Sequence, residues 1–350
     1  MDEKRFMEIA LKLAKRGMGY VSPNPMVGAV IVKEGKIIGK GYHKMYGFPH
    51  AEIEALNDAK ESVKGSTMFV TLEPCSHYGK TPPCAPEIVK AGIKKVFIAM
   101  IDPNPVVNGK GIEHLKRNGV EVEVGLCREK AEELNKFYIH YIKNKTPYVI
   151  LKMASTLDGF IGDEKRGIKR ISSENSLRLL HRYRYEVDGI IVGIDTIIKD
   201  NPKLNVRYYK KKRNIKKIVL DYYLRFPEDA NLLKTEGETI IFTKENKRKI
   251  ENAKVIEADG EDGILDLKDI LKRIGELGIS SVMVEGGKKV FSSFLEENLF
   301  NEVRIFISPR FIGEGIRITE GEFERWIKIK NVKKLGEDFL IIGENVHRNS

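Results

Sequence analysis

The sequence predicts two α/β domains joined near residue 145. Apolar runs of strand length alternate with amphipathic helical stretches along the whole chain, which favours layers of helices packed on sheets. A polar stretch, Lys143-Asn-Lys-Thr-Pro147, interrupts this pattern and ends in a proline where no helix can continue. A length of 350 residues is enough for two separate cores. The domains are expected at 1–145 and 146–350.

In the first domain, Phe6, Ile9, Ala10, Leu13 and Ala14 recur at helical spacing over residues 2–16, and Gly17 suits a terminator. The apolar runs 27–32 and 37–42 flank Glu34-Gly35 and predict a hairpin. A short helix is expected over 51–60, a buried strand over 68–71 and a helix opened by Cys84 and running to about 91. Strands at 95–100 and 120–124 bracket a helix at 111–117, and one helix over 129–142 closes an α/β/α sandwich. In the second domain, a strand over 148–154 leads to a turn at Ser155-Thr-Leu-Asp158-Gly159. A helix over 174–187 is capped by Ser172 or Ser173. Strands at 189–192, 218–220 and 239–242 and a helix at 267–277 follow, and Val282-Met-Val-Glu285 runs into Gly286-Gly287 and a helix over 288–297. The end is strand-rich, at 303–307, 326–329 and 339–342.

Composition narrows the class of protein. No apolar run approaches the ~18 residues of a membrane span, and the charged Asp2-Glu3-Lys4-Arg5 does not suit a signal peptide, so a soluble cytoplasmic protein without membrane partners is expected. Three cysteines cannot build a disulfide framework, and Cys127 reads as a spare packing residue. A net charge of +11 suits nucleic acid, a membrane surface or phosphorylated small molecules, but the basic clusters are short and scattered and read as solvated faces. The absence of Gln beside abundant Lys and Glu suits a thermophile.

The chemistry concentrates between His50 and Cys84. One His and two Cys thiolates hold zinc in hydrolases that act on nucleobases, leaving an open position for water whose pKa falls toward ~7. A Glu two residues after the His is the proton carrier rather than a ligand. His50, Glu52, Cys75 and Cys84 supply these parts once, so one Zn²⁺ per chain is expected, held by His50, Cys75 and Cys84 with Glu52 catalytic. Eight residues separate Cys75 from Cys84, where the usual deaminase signature has two, and a closed structural site with His77 as fourth ligand is the alternative. A helix start at Cys84 favours its thiolate. In the second domain, Glu285-Gly286-Gly287-Lys288-Lys289 at a strand-to-helix junction suits a phosphate on free backbone N–H groups. No Gly-x-Gly-x-x-Gly follows a strand, which argues against a Rossmann site.

The run from Thr71 through Pro74-Cys75-Ser76-His77 to Pro82-Pro83-Cys84 resembles the deaminase half of the bifunctional riboflavin-biosynthesis deaminase-reductases. Lys152 to Gly159, Gly193 to Thr196, Lys199 to Pro202, Leu204 to Arg207 and Val284 to Gly287 resemble their reductase half, so the likeness covers nearly the whole chain. It implies a cytidine-deaminase-like zinc domain followed by a dihydrofolate-reductase-like domain using NADPH, and a homo-oligomer. It implies hydrolytic deamination of a diaminopyrimidinone ribosyl phosphate, then reduction of the ribosylamino phosphate to its ribitylamino form. Asn24, His43 and Lys80 are then contacts for the deaminase substrate. Ala154, Thr196, Asp200 and the turn Gly287, Lys288, Lys289, Val290, Phe291, Ser292 and Ser293 face NADPH. Arg184, Leu204, Arg207 and Glu285 face the reductase substrate, the planar arginine forks suiting its phosphate. Lys152 and Asp200 are candidates for the accompanying proton. Bacterial relatives carry Ser and Trp where Ile168 and Arg170 stand, and Arg170 is expected to reach a cofactor phosphate instead. The alternatives are a nucleic-acid deaminase with a basic accessory domain, which leaves the second set of motifs unexplained, and a zinc-stabilised binding module.

Overall fold

The computed structural model describes residues 2–79, 81–168, 170–209, 214–245 and 248–346. The chain divides into two compact units, Met1–Lys145 and Thr146–Ser350. No helix among the described residues is long and apolar enough to cross a membrane.

The first unit contains α1 (Glu3–Ala14), β1 (Gly28–Lys33), β2 (Lys36–Tyr42), α2 (Ala51–Asp58), β3 (Thr67–Val70), α3 (Cys84–Lys90), β4 (Lys95–Ile98), α4 (Lys110–Arg117), β5 (Glu121–Val124), α5 (Arg128–Leu134) and α6 (Lys136–Asn144). Its sheet runs β2-β1-β3-β4-β5, with β1 antiparallel to both neighbours and β3, β4 and β5 parallel. In the register Ala29 faces Gly41 and Gly28 faces Tyr42, so Gly28 and Gly41 point to opposite sides of the sheet. A Cβ on Gly28 would lie 2.1 Å from the Ala10 carbonyl oxygen of α1, and one on Gly41 would lie 2.2 Å from the Ala51 carbonyl oxygen of α2. The two helices therefore cover opposite faces, in the α/β/α order expected. Bare glycine lets the first turn of α2 rest directly on β2, and this fixes where His50 and Glu52 stand.

Two differences from the sequence reading matter. The single helix expected over 129–142 is two, broken at Asn135. The Asn135 amide accepts from the Met26 N–H (2.8 Å) and donates to the Met26 carbonyl (3.0 Å), a tertiary pairing that outweighs helix continuity and steadies the segment carrying Asn24. Glu73, next to Pro74-Cys75, is buried and caps the start of α4. Its Oε1 accepts from Gly111 (2.9 Å) and Ile112 (3.3 Å), and its Oε2 from Gly109 (2.9 Å) and Asp102 (3.3 Å). Gly111 must be bare, because a Cβ there would stand 1.9 Å from the Pro74 carbonyl oxygen.

The second unit contains β6 (Tyr148–Thr156), β7 (Phe160–Gly162), α7 (Glu174–Glu186), β8 (Gly189–Gly193), α8 (Ile194–Asp200), β9 (Lys216–Leu220), β10 (Thr239–Thr243), β11 (Ala253–Glu257), β12 (Gly260–Glu261) and β13 (Ile264–Leu265). It continues with α9 (Leu267–Glu276), β14 (Ser281–Val284), α10 (Lys288–Glu296), β15 (Glu302–Ser308), β16 (Ile316–Arg317), β17 (Ile327–Leu335) and β18 (Asp338–Asn345). The main sheet runs β11-β10-β9-β8-β14-β6-β15-β18-β17, parallel through β15 and antiparallel over the last two strands. Parallel strands covered on both sides read as continuous apolar runs, and the middle of this sheet does so. Ser173 rather than Ser172 caps α7, accepting from Ser176 N–H. The Asp338 carboxylate of β18 holds that end through Ser173 N–H (2.7 Å) and Ser176 Oγ (2.6 Å). Gly193, Glu285 and Gly286 lie at the carboxyl ends of β8 and β14, where open α/β sheets bind ligands.

Gly41→Ala is expected to destabilise the chain by about 1–3 kcal/mol or more, since its Cβ meets backbone that cannot swing aside. Glu73→Gln sets an amide donor against backbone donors and is expected to cost about 1–3 kcal/mol. Urea denaturation of each variant measures both, and midpoints equal to wild type would show that neither contact constrains the fold.

Candidate active sites

In the first unit the helix α2 begins directly after His50, which stands at the N-cap in extended conformation and makes no side-chain capping bond. The loop after β3 delivers Cys75, and α3 opens on Cys84. Nδ1 of His50 and the two Sγ atoms lie within 4.8 Å of one another. The His50 Nδ1 to Cys75 Sγ distance is 3.5 Å and that to Cys84 Sγ is 3.3 Å. A tetrahedral zinc with sulfur at about 2.3 Å and nitrogen at about 2.0 Å keeps neighbouring donors about 3.5–3.8 Å apart, so these three residues fit that ion. His50 Nε2 faces Thr81 Oγ1 at 3.3 Å, a partner that fixes the ring, and the sequence reading missed it. His77 is not among the gathered donors, and its buried Nδ1 has no partner among the described residues.

Protons in this cluster are shared. The Cys75 thiol is held well below its ordinary pKa by hydrogen bonds from Cys84 and His50, while Cys84 is pushed up by the neighbouring thiolate and by burial. At the start of α3 the Cys84 N–H also points to Cys75 Sγ at 3.4 Å, so this helix end faces the Cys75 thiolate as well. His50 is raised by its hydrogen bond to Cys75. Glu52, in the first turn of α2 and only 3 % exposed, is pushed up to about 7 by burial, with His50 opposing. A carboxyl that exchanges its proton near neutrality suits a proton carrier. His43 packs edge-on to His50 with ring centroids 5.3 Å apart. Its Nδ1 donates to the Pro49 carbonyl (3.1 Å), which leaves Nε2 to accept from the Asn24 amide (3.3 Å). Burial lowers the His43 pKa and keeps the ring neutral. Lys80 lies outside the described residues.

The second unit gathers a charged cluster around α7 and the end of β14. Arg184 and Glu285 form a largely buried bidentate pair, Nε to Oε1 at 2.8 Å and Nη2 to Oε2 at 2.7 Å, and Nη1 donates to the Asn205 carbonyl (3.0 Å). The Arg184 fork that was expected to take a phosphate is therefore engaged by protein, because two charges buried side by side satisfy each other first. Burial opposes ionisation of Glu285, but Arg184 holds its pKa below the ordinary value. Lys152 on β6 is lowered by burial and by Arg184, and its Nζ lies 5.5 Å from the centre of the Phe306 ring. Leu204 is buried in a left-handed conformation (φ 44°), a strained position for a branched side chain. Arg207 is exposed and turns its guanidinium to His181, a fully buried histidine that the sequence reading missed. His181 stands one helical turn before Arg184, so the helical face around Arg184 carried the signal.

The residues expected around a dinucleotide divide by orientation. Thr196 Oγ1 accepts from the Gly287 N–H at 3.2 Å, tying α8 to the glycine pair. The helix α10 begins at Lys288 with no side-chain cap, so its first-turn amides, beside Lys288 and Lys289, offer donors to a phosphate. Gly286 fits where a Cβ would crowd Val290 (3.1 Å) and the Gly193 nitrogen (3.2 Å). These features fit a phosphate-bearing cofactor. Residues 288–293 are helix rather than turn, and the helical period separates them: Phe291 packs into the core and Ser292 Oγ accepts from Glu320 N–H (2.8 Å). Ser293 Oγ donates to the Lys289 carbonyl (3.1 Å). Ala154 sits on β6, and Asp200 is exposed at the end of α8. Arg170, expected to reach a phosphate, is turned back onto the Ser172 carbonyl and Glu174, both at 3.1 Å.

Comparison with known proteins places these sites in context. Residues 1–100 match the family described as the cytidine and deoxycytidylate deaminase zinc-binding region, and residues 147–341 match the RibD C-terminal domain. The riboflavin biosynthesis protein RibD of Aquifex aeolicus is 44% identical over 97% of both chains. That of Bacillus amyloliquefaciens is 43% identical over 95% of this chain and 91% of its own. The crystal structure of a diaminohydroxyphosphoribosylaminopyrimidine deaminase/5-amino-6-(5-phosphoribosylamino)uracil reductase from Thermotoga maritima superposes with a TM-score of 0.91 at 37% identity, covering 98% of this chain and 99% of that one. Acinetobacter baumannii RibD gives a TM-score of 0.90 at 35% identity, over 98% and 99%. With both family matches in order and relatives alike over nearly their full length, the chain belongs to the RibD family, bifunctional enzymes of riboflavin biosynthesis that join a zinc-dependent deaminase to an NADPH-dependent pyrimidine reductase.

Proposed function

We propose that the first unit deaminates 2,5-diamino-6-(5-phosphoribosylamino)pyrimidin-4(3H)-one by hydrolysis, and that the second reduces 5-amino-6-(5-phosphoribosylamino)uracil to the ribitylamino phosphate with NADPH. The gathering of His50, Cys75 and Cys84 beside a buried Glu52 carries the first half of this reading. The Thermotoga structure, whose two named activities these are, supports both halves.

In the deaminase, His50, Cys75 and Cys84 would hold zinc, which when bound would supply the Lewis acidity that activates water at neutral pH. Glu52 accepts a proton from the attacking water and returns one to the departing amine, so that water and the aminopyrimidine give the pyrimidinedione and ammonia. Neutral His43, oriented by Pro49 and Asn24, presents a polar edge to the base, and Lys80 takes the phosphate. In the reductase, NADPH supplies the hydride for C1′ of the opened ribose. The glycine pair, Thr196 and the first turn of α10 bind its phosphates. Lys152, whose lowered pKa eases proton release, delivers the accompanying proton to the substrate, whereas Asp200 is exposed at the end of α8. Arg207 takes the substrate phosphate, while Arg184 and Glu285 hold each other and the wall of the site. A reducing cytoplasmic setting keeps Cys75 and Cys84 as thiols able to ligate metal. Exposed Ile329, Val332 and Phe339 along the β17–β18 edge support self-association.

One coupled assay tests the two-step reading. With the diaminopyrimidinone substrate, zinc-loaded protein is expected to release ammonia and oxidise NADPH, and a chelator to stop both. With the uracil substrate, NADPH oxidation is expected to survive chelation. Ammonia without oxidation would remove the reductase half. In Glu52→Gln, ammonia release is expected to fall by roughly 10²–10⁴-fold with zinc content unchanged. Loss of zinc in that variant would make Glu52 a structural residue.

A further inference from the structure

His181 is fully buried on α7, and both of its ring nitrogens face donors of Arg207. The Arg207 backbone N–H points to Nδ1 at 3.0 Å, and the guanidinium Nε and Nη2 lie at 3.3 Å from Nε2. A neutral imidazole accepts at one nitrogen and donates at the other. The guanidinium Nε–H donates to Nε2, so Nε2 accepts and the proton of the neutral ring sits on Nδ1. A charged imidazolium is disfavoured by burial and by the flanking Arg184 and Arg207, which push the His181 pKa down to about 4 against the pull of Glu285 and the Asn205 carbonyl. The guanidinium Nε–H therefore meets an acceptor at Nε2, and the Asn205 carbonyl accepts the proton of the ring.

We propose that His181 is a substrate-positioning residue of the reductase site: its Nε2 accepts from the Arg207 guanidinium Nε and so fixes the fork, its charge left intact, for an anionic phosphate oxygen. Arg184, spent on Glu285, leaves Arg207 as the arginine of this cluster that lacks a carboxylate among the described residues. The T-shaped contact of the His181 ring with Tyr208, centroids 5.1 Å apart, closes one side of the His181–Arg207 pair. This inference rests on the proposed reductase activity and on the expectation that Arg207 faces substrate. A side chain with one acceptor and one donor, such as glutamine, can do the same work; an apolar one cannot.

The test compares full-length, zinc-loaded wild type with His181→Leu and His181→Gln. KM and kcat are read from NADPH oxidation with 5-amino-6-(5-phosphoribosylamino)uracil, inorganic phosphate binding from calorimetry, and fold integrity from ammonia release by the separate deaminase unit. His181→Leu is expected to raise KM roughly tenfold or more with kcat within about threefold, and to weaken phosphate by a similar factor. His181→Gln is expected to recover both to within about threefold of wild type. Equal impairment in the two variants, an effect on kcat alone, or an unchanged KM in His181→Leu would overturn the proposal. If wild type fails to oxidise NADPH with this compound, the functional reading falls, and phosphate binding still decides on His181: weakening in the leucine variant with recovery in the glutamine variant supports it, and equal or absent binding in all three overturns it.

Discussion

The deaminase site depends on how closely α2 lies on β2. The Ala51 carbonyl oxygen would be 2.2 Å from a Cβ at position 41, and the Ala55 carbonyl oxygen 2.4 Å from one at position 39, so two glycines of one strand set the depth of the helix. That depth buries Glu52, and burial is the largest cause of the rise of its carboxyl toward neutrality. It also brings His50 Nδ1 within reach of two thiols from a different part of the chain. The site on the other side of Cys75 is held by a second constraint of the same kind, the Glu73 carboxylate collecting the four backbone N–H groups around the start of α4. Metal ligation and proton transfer thus rest on backbone contacts that carry no chemistry themselves.

The metal cluster was legible because three ligands and a proton carrier fall within a few dozen residues and their chemistry restricts the residue types. Strands with uninterrupted apolar runs, such as β6, β8 and β14, were legible for the same reason. Elements whose signal is tertiary were not. The strand β11, Ala-Lys-Val-Ile-Glu, has no clean alternation and is held by parallel pairing to β10. The Asn135 break responds to a partner 109 residues away, and the Arg184–Glu285 pair spans 101 residues. Strand β17 runs past residue 329, where the sequence reading stopped, because a register shift between Ile329 and Asn331 breaks its alternation without ending the pairing. Functional resemblance identified Arg184 and Glu285 as a set but not that they neutralise one another.

That neutralisation changes how the positive charge of the chain is understood. A net +11 invites the idea of a basic surface for a polyanion, yet several arginines are committed locally: Arg304 to Glu302 and Glu186, Arg170 to Glu174, Arg184 to Glu285. What recognises a small phosphate is then the placement of an uncommitted cation more than the total charge. A buried neutral histidine is well suited to keep such a cation available, because it accepts from the guanidinium and fixes it without neutralising its charge. A carboxylate in its place would fix Arg207 more strongly and also satisfy it, as Glu285 does for Arg184. Binding of phosphate would then have to displace a buried ion pair, whose separation costs several kcal/mol. On the proposed role of Arg207, the two arginines serve opposite ends: Arg184 gains rigidity at the expense of recognition, and Arg207 keeps its capacity for an anion because the residue behind it is uncharged.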